Sequence, residues 1–202
     1  MKYGELTLGQ VEAVVNKLGG IGGVKRLLSG ELIVTARQPV WQIWKTIQLG
    51  TGLKTAGEFR EALKKAGDLI QDIGGGILDK EDFIKSINDN KIDAELVVVS
   101  VRQLGFKKNA TLREIYDRAK ELGLDLCPAE AGPQLRLQYE DQPKGESFMI
   151  AMEPIITRSG DPVVFVVGRF ILDNRRYLSL TGTHPDDQPR EFEDPFVFLR
   201  RK

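Results

Sequence analysis

Few residues in this chain are of types that do chemistry. Cys127 is the one cysteine and His184 the one histidine, and a thiol beside an imidazole is the simplest nucleophile–base pair they allow. Cys127 leads into the connector Pro128–Pro133, with Glu130 at its middle, and further carboxylates follow at Glu140, Asp141, Glu146, Glu153, Asp186 and Asp187. One reading is therefore a small hydrolase-type enzyme with its site near the 128–133 connector, using Cys127, Glu130 or His184. The local context weakens it. Cys127 precedes a proline and is flanked by Leu124 and Leu126, the setting of a small buried hydrophobe. His184 sits in the turn-like run Thr183-His184-Pro185-Asp186-Asp187, where a surface histidine is the ordinary outcome. The acidic residues divide between the two ends of the strands expected around them, whereas an acid–base dyad needs its carboxyls within several ångströms of each other. A single cysteine excludes a multi-cysteine metal site. No metal and no cofactor is expected.

The elements that must position these residues announce themselves by their ends. The segments starting at Thr7, Thr55 and Thr111 each run Thr-x-x-Glu/Gln, then an apolar stripe, then glycine twelve residues after the threonine. That is a capping box with a C-terminal glycine, so three helices are expected, over 7–18, 55–66 and 111–122. The pattern could mark a repeat, but the intervals between the units differ and nothing after each glycine matches. Common helix punctuation explains it. Shorter helices are expected near 24–29 and 80–87, and a short strand at 32–35. Glu95–Val101 (ELVVVSV) is a continuous β-branched run and reads as a strand buried on both faces. Alternation then predicts strands at 134–140, 147–153, 162–170, 177–181 and 196–200, joined by short turn-like links. The expected fold is α+β: a helical N-terminal segment over 1–90, a polar linker at Asn88–Lys91, and a domain over 91–202 with a mostly antiparallel five- to six-stranded sheet and one packed helix.

Two stretches invite a nucleic-acid reading. The first two helices could form a helix-turn-helix-like hairpin, with Lys17, Lys25 and Arg26 meeting phosphates. The turn between them, Gly19–Gly23, holds four glycines and is long and loose for that motif. Trp41 and Trp44, with Arg37 and Lys45 nearby, could stack on bases. More simply, two tryptophans three apart share a helix face and fill a core. Neither Gly19–Gly23 nor Gly74–Gly76 carries the residues of a phosphate-binding loop.

Composition bounds the rest. In 202 residues, 29 Lys/Arg balance 29 Asp/Glu, so no whole-molecule field selects nucleic acid or membrane. The balance is uneven along the chain: residues 1–65 carry ten basic against five acidic residues, and 66–99 carry three against eight. No stretch approaches a membrane span and no signal peptide is visible, which points to a soluble, cytoplasmic protein. The run from Val97 through the MEPI at Met152–Ile155, together with TLGQVEAVVNKLGG from Thr7, resembles blocks recurring in an uncharacterised family of bacterial proteins. That resemblance implies a bacterial, soluble protein and carries over no catalytic residue or cofactor. The expectation is a non-enzymatic binding or regulatory protein, with a protein partner conceivable, nucleic acid not favoured and membrane excluded. A DNA-binding regulator and the hydrolase-type enzyme are its rivals.

Overall fold

The computed structural model describes residues 7–34, 39–71, 76–183 and 190–201. The chain divides into two compact units, Met1–Gln38 and Pro39–Lys202.

In the first unit, helices α1 (Leu8–Lys17) and α2 (Gly20–Leu28) form a hairpin. Thr7 caps α1, with Gln10 closing the box. The turn is only Leu18-Gly19, so Gly20–Gly23 is the first turn of α2 and not a loose loop. Gly19 supplies the left-handed residue at φ 87°. Gly23 allows close approach, since a Cβ there would lie 1.6 Å from the Leu18 carbonyl oxygen. The strand expected at 32–35 does not form over Leu32–Val34, because the Leu32 N–H bonds the Arg26 carbonyl at the end of α2. Thr35 lies outside the described residues.

The second unit is a layered α+β domain. Its elements are β1 (Lys45–Leu49), α3 (Ala56–Lys65), β2 (Leu69–Gln71), α4 (Glu81–Lys85), β3 (Ile92–Ser100), α5 (Leu112–Glu121), β4 (Leu124–Asp125), α6 (Ala131–Gln138), β5 (Ser147–Ile150), β6 (Ile155–Ile156), β7 (Pro162–Arg169), β8 (Arg176–Gly182) and β9 (Pro195–Arg200). The strands make one sheet in the order β1-β3-β9-β5-β7-β8-β2, with β4 added to β9 and β6 to β7. It is mixed: β5/β9 and β2/β8 are parallel, and the other pairs are antiparallel. Among the described residues, nine strands replace the expected five to six and two parallel pairings interrupt the mostly antiparallel sheet, while α3, α4, α5 and α6 all pack on it in place of the one helix expected. The expected boundary near residue 90 also moves, because β1 and β2 are woven into the sheet and Asn88–Lys91 is the turn entering β3.

Two cores flank the sheet. On one face Leu96 and Val197 meet Phe59 and Leu63 of α3, Phe83 of α4 and Leu135 of α6. On the other, Val97, Val99, Phe196 and Phe198 meet Ile115, Tyr116 and Ala119 of α5. This is why β3 reads as unbroken hydrophobicity: alternate residues enter opposite cores. Trp41 and Trp44 follow the same logic. They precede β1 in extended chain, so three residues apart puts them in opposite cores, and they do not share a helix face. Trp41 donates its indole N–H to the Leu122 carbonyl at 2.8 Å, while Trp44 packs edge-on against Tyr139.

The main departure lies at 131–138, which is helix α6 where alternation predicts a strand. Pro133 falls in its first turn, where no intrahelical N–H is needed. Ala131, Gly132, Pro133, Gln134, Leu135 and Arg136 are all buried, so no polar face marks the helical period. Gly132 rests against β7: a Cβ there would lie 2.6 Å from the Phe165 ring.

Candidate functional site

Among the described residues, those singled out by their chemistry do not assemble into a catalytic centre. Cys127 is buried, its N–H bonds the Ala151 carbonyl at 2.7 Å, and its thiol faces the Val197 carbonyl at 3.5 Å. Burial pushes the thiol well above its ordinary value, which disfavours the reactive thiolate. His184, Asp186 and Asp187 lie outside the described residues, as does Arg37. Glu146 accepts from the Tyr139 hydroxyl at 2.7 Å, Asp141 faces Lys45 at 3.8 Å, and Glu140 and Glu153 are exposed. Among the described residues, no group of three or more His, Cys, Asp or Glu could hold a metal ion.

Glu130 is fully buried and fully engaged. Its Oε1 accepts from the Gly50 N–H at 2.8 Å and the Gln134 amide at 3.1 Å. Its Oε2 accepts from the Asn88 N–H at 2.9 Å and the Asn88 side chain at 3.0 Å. Four donors to an acceptor-only carboxylate leave no lone pair for a substrate. Gln134 and Gln138 continue the line at helical spacing. Gln138 accepts from the Gln48 N–H and donates to the Gln48 carbonyl, both at 2.8 Å, so it imitates a neighbouring strand along the outer edge of β1. Glu130, Gln134 and Gln138 thus staple α6 to the end of the sheet. Their work is structural.

The opposite side of α6 carries Arg136, whose side chain has no exposed surface. Its guanidinium donates to the Gly168 carbonyl at 3.1 Å, to Gln142 and to the Tyr139 carbonyl, and it pairs with Asp68 at 3.3 Å. Arg176 reaches the same Asp68 oxygen at 2.8 Å. Burial pushes the Asp68 carboxyl up, with the two arginines pulling it back, and burial lowers Arg136 to about 10. Among the described residues the Asp68 Oδ2 atom has no hydrogen-bond partner. This buried latch joins the corner between α3 and β2 to α6 and β8.

Beside the latch lies a groove of about 590 Å³, at the turn joining β7 to β8 and over the edge strand β2. Phe170 and Tyr177 pack with ring centroids 4.4 Å apart and form one wall. Tyr177 lies across its cross-strand partner Gly168, where any Cβ would fall 2.3 Å from the ring. Leu69 of β2 and the turn residues Ile171 and Leu172 add apolar surface, with Leu172 97% exposed. The turn is tightly built. Phe170 N–H bonds the Arg175 carbonyl at 2.9 Å, Asn174 takes φ 61°, and Asp173 holds the Arg175 side chain at 2.7 Å. Arg169 is half-buried and held by carbonyls alone, Gln142 at 2.6 Å and Asn174 at 3.2 Å. Among the described residues it has no carboxylate partner, and the Tyr177 hydroxyl and Gln71 amide have no hydrogen-bond partner. Apolar walls with a few convergent polar groups are the ordinary make-up of a ligand site. The legible signal was Arg-Phe-Ile-Leu-Asp-Asn-Arg-Arg-Tyr at 169–177, where apolar residues occupy the tip of a turn.

The nucleic-acid candidates Lys17, Lys25 and Arg26 are all exposed. However, α2 begins Gly-Ile-Gly-Gly, so its N-terminal turn, from which a recognition helix reads bases, offers only Ile21 as a side chain. Among the described residues no helix is long and apolar enough to cross a membrane. No family model, no curated protein and no solved structure matches this chain.

Proposed function

We propose that this chain is a non-enzymatic binding protein whose sheet domain takes its ligand in the β7–β8 groove. One observation carries the reading: apolar walls converge there with Arg169, which among the described residues has carbonyl partners but no carboxylate, and with the Tyr177 hydroxyl and Gln71 amide, which have no hydrogen-bond partner among them. The reactive residue types elsewhere support it from the other side, since Cys127 is buried and Glu130 is saturated with donors. Binding needs only a preformed concave surface with a few fixed polar groups. Hydrolysis needs a nucleophile or activated water within reach of a base.

A fragment screen followed by amide chemical-shift mapping on the full chain tests this. Bound fragments are expected to shift Leu69, Gln71 and residues 169–177. Shifts gathered instead at the separate cleft beside Cys127, Pro128 and Glu153 would move the site, and turnover of ester or amide fragments would replace binding with hydrolysis.

A further inference from the structure

We infer that the ligand of this groove is an apolar carboxylic acid, an inference that rests on the groove being the binding site. The argument is one of charge complementarity. The groove is lined by Arg169 and Arg175 against a single carboxylate, Asp173. Asp173 is already committed to Arg175, accepting from its backbone N–H at 3.1 Å and its Nε at 2.7 Å. Arg169 is the cation left over. Two backbone carbonyls fix its guanidinium through Nη1 and Nε without neutralising it, and its remaining N–H groups have no protein acceptor among the described residues.

A half-buried guanidinium held in place by neutral carbonyls is preorganised for an anion. Its planar fork matches a carboxylate, which accepts two parallel hydrogen bonds. The Tyr177 hydroxyl and the Gln71 amide, both without hydrogen-bond partners, add donors on the same lining. The remaining wall is apolar, from Leu69, Phe170 and Ile171. A fully hydrated anion would leave that wall wet, and a neutral hydrocarbon would leave Arg169 without a counter-charge. A molecule apolar along its length and carboxylated at one end satisfies both. About 590 Å³ lies within the range of small-molecule sites.

The test compares 4-phenylbutyrate with 4-phenylbutyramide, binding to the full chain measured by calorimetry. The acid is expected to bind about tenfold or more tightly than the amide, the difference one charge-assisted hydrogen bond makes. Added salt should narrow the gap. Arg169→Gln should bring the two probes to equal affinity, and Arg169→Lys should restore part of the preference. Tyr177→Phe, which keeps the ring and therefore the fold, should weaken the acid more than the amide, since a donor to a charged acceptor is worth more than one to a neutral carbonyl. If the wild-type protein binds acid and amide equally, the carboxylate inference falls and the groove reading stands. Should neither probe bind at millimolar concentration, both fall.

Discussion

Helices α1 and α5 are written with the same punctuation and meet opposite fates. Each opens on a threonine capping box and ends at a glycine with positive φ, Gly19 at 87° and Gly123 at 82°. α5 buries Leu112, Ile115, Tyr116 and Ala119, whereas α1 buries no residue at all, and its Leu8 is 75% exposed. α3 sides with α5, burying Phe59 and Leu63. Capping therefore says where a helix starts and stops, and burial says what it is worth. An isolated short helix is marginal in water, and packing of an apolar face supplies most of its stability.

The comparison can be broken most forcefully in the sheet domain. Phe59→Ala and Arg136→Ala are each expected to cost about 3–5 kcal/mol, the first by opening a cavity and the second by leaving buried Asp68 with Arg176 alone and removing the donor to the Gly168 and Tyr139 carbonyls. Val11→Ala and Val14→Ala in α1 are expected to stay within about 0.5 kcal/mol. Denaturant unfolding of the full chain measures both groups. If the α1 substitutions cost as much as Phe59→Ala, the contrast is wrong. The latch sharpens the point. Burial raises the Asp68 carboxyl and lowers Arg136, so desolvation opposes the charge on both groups while their attraction supports it. Replacing both with apolar residues of similar size should recover most of the loss.

Caps come next in size. Thr55→Ala and Thr111→Ala are expected to cost about 1 kcal/mol each, with Thr7→Ala leaving global stability unchanged. A smaller effect separates the boxes by pH. Glu58 and Glu114 accept backbone bonds from their own capping threonines, which lowers both carboxyls from 4.5; Lys54 is the larger cause at Glu58. A lowered folded-state value gives stability that is present above 4.5 and lost as pH falls below 4.5 through that lowered value. The box of α1 uses Gln10 and has nothing to titrate. In an acid titration followed by NMR, the Thr55 and Thr111 amides should shift below pH 4.5 and the Thr7 amide should hold still.

What was legible from sequence follows the same division. The capped helices were readable from their ends whatever their burial, and β3 from an unbroken β-branched run whose alternate residues enter opposite cores. α6 was not, because Leu135, Leu137 and Tyr139 alternate as a strand would, and burial of Gln134 and Arg136 erases the polar face that would have shown a helical period. The sheet order was hidden for another reason. Parallel pairing of β5 with β9 and of β2 with β8 joins segments far apart in sequence, which no local pattern reports. Glu130 stood out as a catalytic candidate, and in the structure its carboxylate fastens Gly50 and Asn88 to α6. The groove was missed because Arg169 and Tyr177 become neighbours of Leu69 and Gln71 only through that parallel pairing.

Hydrogen exchange of the full chain, read by mass spectrometry, tests the central claim most directly. The amides of α3 and α5 should exchange only through global opening, and those of α1 should exchange orders of magnitude faster despite an equivalent cap. Protection of residues 8–17 equal to that of residues 112–121 would contradict the account.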